Sequence, residues 1–178
     1  MERITLHDKT FKTYIPFETI DSAIAKVADK LNVDLKEEDR PIFLGILNGS
    51  FMFAADLLKK VSLNCEISFV KMASYSGTQS TGHVKELIGL NRDISGRTVI
   101  IVEDVVDSGN TIVQLYKDLQ ARNPKQIKIC TLLYKPEAYK ESIPIDYACL
   151  EIPNDFVVGY GLDYDNLGRQ YKDIYVID

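Results

Sequence analysis

Residues Thr98 to Val102 read Thr-Val-Ile-Ile-Val, an unbroken β-branched run. Side chains branched at Cβ lose rotamer freedom in a helix but pack well on a pleated surface. Five in succession leave no polar face, so the run predicts a strand covered on both sides, the central position of a parallel sheet. The neighbouring stretches agree with that. Phe17, Ile20, Ile24, Val27 and Leu31 recur at helical spacing, predicting an amphipathic helix over 17–31. Strands are expected at 42–47, 65–72, 84–90, 127–133, 145–150 and 174–177. Further helices are expected at 51–60, with Ser50 as candidate N-cap, and from Thr111 to about Arg122, stopped by Asn123-Pro124. Strands alternating with helices of this length predict an α/β fold with a mainly parallel central sheet flanked by helices. The 178 residues carry no repeat and no linker-like break, so a single domain over 1–178 is expected.

Immediately after the β-branched run comes Glu103-Asp104-Val-Val-Asp107-Ser108-Gly109-Asn110-Thr111. In an open α/β sheet, ligands sit beyond the carboxyl ends of strands, where helices begin. With Asp104 to Asn110 leaving the strand as a loop, the amides of Ser108 to Thr111 fall at a helix N-terminus, where the dipole favours an anion. Ser108 and Thr111 add hydroxyls, and Gly109 allows close backbone approach. The three carboxylates ahead of this cradle would repel a bare phosphate. A phosphosugar is different, because ribose hydroxyls want acceptors and a magnesium ion offsets the charge. The spacing excludes a Walker loop, since no Gly-Lys-Ser/Thr follows.

Charge and composition restrict the function class. The formal net charge is -5 and the pI about 5.1, which argues against a nucleic-acid binder working through a basic surface. No apolar run approaches the roughly 20 residues that span a bilayer. Residues 1–10 lack the apolar core of a signal peptide, so a cytoplasmic protein without membrane contact is expected. Cys65, Cys130 and Cys149 show no CxxC spacing and read as buried free thiols.

The stretch Val102 to Thr111 resembles the phosphoribosyl-pyrophosphate signature of the type I phosphoribosyltransferases, and residues from about 42 to 178 resemble the hypoxanthine–guanine branch. The resemblance implies that fold, with a small hood formed by the N- and C-terminal segments. It implies that Glu103 and Asp104 hold the ribose hydroxyls directly or through Mg2+, that Ser108, Gly109, Asn110 and Thr111 hold the 5'-phosphate, and that Asp107 is the catalytic acid/base facing the purine N7. Asn48 and Gly49, within Leu47-Asn48-Gly49-Ser50-Phe51, are similar to the pyrophosphate loop, and Arg169 falls where the family has a pyrophosphate-binding arginine. Ser74-Tyr75 looks like the start of a mobile lid. Lys135 matches the lysine that reads the purine 6-oxo group. The segment from Phe156 to Tyr164 matches the base-stacking and metal-binding segment, implying purine contacts from Phe156, Val157 and Asp163, with Asp163 joining Glu103 and Asp104 as a metal ligand.

The chemistry of these residues agrees with those roles. Lys135 can only donate, which favours a 6-oxopurine over adenine. Phe156 can stack on a purine, and the Val157 carbonyl can accept from a 2-amino group. Arg169 offers a planar fork for phosphate oxygens. Asn48 is a departure, since many relatives carry Lys or Arg there; weaker pyrophosphate contact is expected, and Asn48-Gly49 also reads as an ordinary turn. Residues 1–40 match nothing specific, and His7 and His83 read as surface residues. The expected partners are a purine base and phosphoribosyl pyrophosphate, in a homodimer or homotetramer. Two alternatives are a xanthine-preferring enzyme and a non-catalytic nucleotide-sensing regulator on the same fold.

Overall fold

The computed structural model describes residues 2–72, 86–88 and 90–178, of which 86–88 as backbone only. Its larger sheet is built from β3 (Ile42–Leu47), β4 (Glu66–Met72), β5 (Glu86–Ile88), β6 (Thr98–Val106), β7 (Gln126–Tyr134) and β8 (Tyr147–Glu151). Their order is β5-β4-β3-β6-β7-β8. Five strands run parallel and β5 is antiparallel at one edge. The β-branched run takes the place its composition demands: Thr98 to Val102 are fully buried in β6, between β3 and β7.

Alternation along these strands divides the core in two. Phe43, Ile100 and Val102 face the apolar stripes of α1 (Phe17–Asp34) and α2 (Phe51–Leu58). Leu44, Val99 and Ile101 face Ile112, Leu115 and Leu119 of α3 (Asn110–Gln120). The two-residue period of a strand thus meets helices on both sides.

A second sheet forms the hood. It consists of β1 (Arg3–Leu6), β2 (Lys9–Ile15), β10 (Ile174–Ile177) and β9 (Val157–Val158), in the order β1-β2-β10-β9, all antiparallel. Residues 1–40, which matched nothing by motif, therefore supply two hood strands as well as α1. The buried Asp173 accepts a hydrogen bond from the Phe17 amide (2.7 Å). Pro16 precedes α1 and has no amide hydrogen or capping side chain to offer, so this first-turn donor of α1 finds its acceptor 156 residues away.

Several local expectations are corrected. Ser50 does not cap α2: its backbone is already helical and its buried hydroxyl donates back to the Ile46 carbonyl (2.7 Å). β6 does not stop at Val102; pairing of Glu103, Val105 and Val106 with Thr131, Leu133 and Tyr134 carries it on to Val106. Of the three free thiols only Cys130 is buried, while Cys65 and Cys149 are half-buried. The strand expected over 84–90 is described at Glu86–Ile88.

Candidate active site

The chain runs β3 to β4 to β5 on one side of the sheet, then returns to place β6 against the other side of β3. Strand order therefore reverses between β3 and β6, and a crevice opens beyond their carboxyl ends. Two of the expected site segments, Asn48-Gly49-Ser50 after β3 and Asp107 to Asn110 after β6, flank that crevice. The contact is tight. A Cβ built on Gly49 would lie 1.5 Å from Asp104 Oδ2, so only glycine lets the loop pass the carboxylate where it stands. The Leu47–Asn48 peptide is cis.

Because β6 continues to Val106, Glu103 and Asp104 belong to a strand, not to a loop. Glu103 is buried and is held well above the ordinary carboxyl range, first by burial and then by the negative charge of Asp104. The Asp104 amide donates to Glu103 Oε1 (3.2 Å), and Asp104 Oδ1 accepts from the Val105 amide (2.8 Å). The cradle is also modified. The Ser108 amide donates to the Asp107 carboxylate, so one of the expected open donors is engaged. Gly109, at φ 84, turns the chain into α3, leaving the first amides of that helix, Asn110 and Thr111, without intrahelical partners. A Cβ at Gly109 would meet the Tyr139 ring at 2.5 Å. Tyr139 thus packs directly against Gly109, with its hydroxyl donating to the Ile143 carbonyl (2.5 Å). No motif marked Tyr139; it sits in a polar, turn-rich stretch with nothing to separate it from an ordinary surface tyrosine.

Lys135 follows β7 directly. Its amide donates to the Val106 carbonyl (2.9 Å), which puts Lys135 and Asp107 at neighbouring strand exits, one strand spacing of about 4.8 Å apart. Lys135 is largely buried, and its ammonium, which reaches solvent, has no hydrogen bond or ion pair among the described residues. Its three N–H groups can donate to an acceptor brought to that strand exit.

The hood brings the remaining residues. Val157 is buried in β9, paired with Val176 of β10. Phe156 is 47% exposed, with its ring 5.8 Å from Tyr164 and 6.2 Å from Phe11. One edge is thus supported while a face stays open. Three successive residues, Gly159, Tyr160 and Gly161, have left-handed backbone, at φ 94, 49 and 99. This turn presses Gly161 onto the Asn48-Gly49-Ser50 loop: a Cβ on Gly161 would lie 2.2 Å from the Gly49 carbonyl oxygen. Arg169 Nη1 donates to the Gly161 carbonyl (2.6 Å) and Nη2 pairs with Asp163 (2.5 Å). Asp163 also accepts from the Asn166 amide (2.7 Å). Gly161 and Tyr160 were not singled out from the sequence, although a Gly-x-Gly pair in a loop is a signal for unusual backbone.

The three carboxylates expected to share a metal are not gathered into one group. Glu103 and Asp104 are neighbours, Asp163 is engaged by Arg169, and no cluster of three His, Cys, Asp or Glu converges among the described residues. Ser74, Tyr75 and His83 lie outside the described residues. His7 is exposed, as expected, with Nε2 3.1 Å from the Asp165 carbonyl. No helix among the described residues is long and apolar enough to cross a membrane.

Comparison with known proteins places this geometry. The family described as "Phosphoribosyl transferase domain" matches residues 17–165. The hypoxanthine-guanine phosphoribosyltransferase of Mycobacterium tuberculosis is 41% identical over 163 residues, which cover 88% of this chain and 79% of that protein. The hypoxanthine phosphoribosyltransferase of Escherichia coli is 41% identical over 157 residues, 87% of this chain and 88% of that one. The crystal structure of a hypoxanthine-guanine phosphoribosyltransferase from Bacillus anthracis superposes with a TM-score of 0.86 at 35% identity, over 94% of this chain and 96% of its own. With its signature on β6, its parallel sheet and its hood, the chain belongs to the phosphoribosyl transferase family, in the hypoxanthine–guanine branch.

Proposed function

We propose that the chain is a purine salvage enzyme that transfers the 5-phosphoribosyl group from phosphoribosyl pyrophosphate to hypoxanthine and guanine, giving IMP or GMP and pyrophosphate. The observation that carries the choice of base is Lys135: a largely buried side chain whose solvent-reaching ammonium has no partner among the described residues, at the strand exit next to Asp107. It donates to a 6-oxo oxygen and has nothing to offer a 6-amino group. The relatives described above bear the names of 6-oxopurine enzymes.

In the proposed reaction the purine N9 forms a bond to C1 of the ribose as the bond from C1 to the pyrophosphate oxygen breaks. Positive charge builds on the sugar and negative charge on the leaving group. Asp107 takes the N7 proton as the base becomes a nucleotide. The open amides of Asn110 and Thr111, with the two hydroxyls, hold the 5'-phosphate. Gly49 and Arg169 hold the pyrophosphate, Arg169 exchanging its present contact with Asp163 for phosphate oxygens. Phe156 stacks on the base, and the Val157 carbonyl accepts from the guanine 2-amino group.

The donor chemistry fits magnesium. Asp104 and Asp163 offer the hard carboxylate oxygens that such an ion takes together with substrate oxygens and water. Bound there, it would neutralise charge on the leaving pyrophosphate. Single-domain organisation over 1–178, a cytoplasmic setting and a homodimer or homotetramer complete the proposal, on the strength of the family resemblance.

The test is a spectrophotometric assay with phosphoribosyl pyrophosphate, with and without magnesium, against hypoxanthine, guanine, xanthine and adenine. Turnover of hypoxanthine and guanine is expected, with xanthine poorer. Turnover of adenine alone overturns the Lys135 argument, and no turnover of any base favours a nucleotide-sensing role.

A further inference from the structure

Tyr160 is the largest of the fully buried side chains, and the proposed chemistry leaves it unused. It is 1% exposed and sits on left-handed backbone between two glycines. Its hydroxyl donates to Asp56 Oδ2 on α2 at 2.5 Å, and its ring lies 6.2 Å from that of Phe17 on α1. A bulky residue in this conformation is uncommon and persists only where its surroundings hold it there. The surroundings here are specific. Gly159 abuts the Asp173 carbonyl on the hood side, and Gly161 abuts the Gly49 carbonyl on the other.

The placement of Asp56 gives the contact a purpose. α2 begins directly after Asn48-Gly49-Ser50, so Asp56 is rigidly connected to that loop through one and a half turns of helix. Tyr160 is connected just as directly to Gly161, and Gly161 exchanges two hydrogen bonds with Arg169, at 2.6 and 3.0 Å. Phe156, Val157 and Val158 are held separately, by the pairing of β9 with β10. We propose that Tyr160 and Asp56 form a positioning pair that fixes Gly161 and Arg169 against the Gly49 loop, setting the pyrophosphate half of the site independently of the purine half. This rests on the functional reading given above.

The pair is built to stay made. Burial, followed by the bond to Asp56, raises the Tyr160 hydroxyl well above its ordinary range. Asp56 also accepts from Lys59 (2.6 Å). Removing the hydroxyl in Tyr160→Phe therefore leaves Asp56 with a cationic partner, leaves the ring in its contact with Phe17, and deletes only the connection. Asp56→Asn keeps an amide oxygen able to accept from Tyr160 and serves as the conservative control.

The experiment measures steady-state constants for phosphoribosyl pyrophosphate, hypoxanthine and, in reverse, pyrophosphate, for wild type, Tyr160→Phe and Asp56→Asn. Calorimetric titration of pyrophosphate in magnesium buffer and a thermal melt accompany each. In Tyr160→Phe, KM for phosphoribosyl pyrophosphate and pyrophosphate and the Kd for pyrophosphate should rise on the order of tenfold, the factor that one hydrogen bond to a charged group supports. KM for hypoxanthine should stay within about twofold, as expected when only one set of contacts is disturbed. Asp56→Asn should lie close to wild type. An unchanged pyrophosphate Kd in folded Tyr160→Phe overturns the proposal. So does an equal rise in KM for both substrates with a collapse of the thermal midpoint, which is the mark of general structural loss. A wild-type protein that binds pyrophosphate but turns over no base would overturn the functional reading instead.

Discussion

Gly49→Ala should separate folding from catalysis, and the size of each effect follows from what the new methyl group would meet. Gly49 does not need left-handed backbone, so alanine is allowed there conformationally. Its Cβ, however, would lie 1.5 Å from Oδ2 and 2.4 Å from Cγ of Asp104. The carboxylate would have to retreat by about 2 Å to reach ordinary contact. It can do so by rotating, because it is a side chain. The cost is its bond to the Val105 amide and an imperfect rotamer, about 1–2 kcal/mol together. For a chain of this size each kcal/mol moves the midpoint by about 2–4 °C. Activity should fall far more, by about 10²-fold, because a misplacement of this size in a substrate-positioning group has that effect. Gly159→Ala is the contrast. Its Cβ would lie 2.1 Å from the Asp173 carbonyl, on backbone at φ 94, and no side-chain rotation relieves either problem. The left-handed conformation and the forced backbone shift should cost about 3–5 kcal/mol. Melting curves and kcat/KM on both variants, with Asp104→Ala and the Gly49→Ala/Asp104→Ala double mutant, provide the check. The double mutant should melt no lower than Asp104→Ala, since the clash has gone. Wild-type kcat/KM in Gly49→Ala, or a midpoint as low as that of Gly159→Ala, would refute the reasoning.

Lys135→Met should retain the fold, because it keeps a long, largely buried side chain and removes an ammonium with no partner among the described residues, while kcat/KM for hypoxanthine falls about 10²-fold; competition assays against adenine measure the lost discrimination. Phe156→Ala should raise KM for the base more than KM for phosphoribosyl pyrophosphate, and the lost aromatic contacts should cost about 0.5–1.5 kcal/mol in a urea melt. Stability should also decline on the acid side. Burial alone would raise Asp56, but hydrogen bonds from Lys59 and Tyr160 outweigh it and set its pKa below the ordinary 3.8. A lowered carboxylate contributes stability above its unfolded pKa and loses it as pH falls through the folded one, so the loss belongs below about pH 4, and thermal midpoints across pH 2–7 should show a shallower acid limb in Asp56→Asn.

Much of this was legible in the residues because the signals were local. A run of five β-branched side chains specified a central strand, and a helix-starting Ser-Gly-x-Thr after three acids specified the segment that binds the phosphosugar in the proposal. The roles proposed for Lys135 and Phe156 rest on their motif context, since a single lysine or phenylalanine carries no signal alone. What escaped was decided by partners distant in sequence. Pairing with β7 kept Glu103 and Asp104 in a strand, which no local propensity of two acids would suggest. Ser50 has the chemistry of a cap, but a buried hydroxyl next to the Ile46 carbonyl bonds backward instead. β1 and β2 have short, half-polar patterns that make sense only once β10 lies beside them. Tyr139 has its place because Gly109 lacks a side chain, and Tyr160 because the glycines beside it, at 159 and 161, let the turn close against the Asp173 and Gly49 carbonyls.

The pairing of β2 with β10 has a consequence for the order of assembly. The larger sheet and its three helices lie within residues 17–151, whereas the hood joins residues 3–15 to residues 157–177. Contacts across such separations form late, after the loop-closure entropy of everything between them has been overcome. During synthesis the β1–β2 ribbon must wait, with one edge unpaired, until β10 has left the ribosome. The β9 segment next to Phe156 gains its partner only then, and the Phe17 amide at the head of α1 meets Asp173 in the same event. A nascent chain can therefore hold the sheet that carries the acids of β6 well before it holds the hood, so the two sheets come together in one step, once residues 157–177 have emerged.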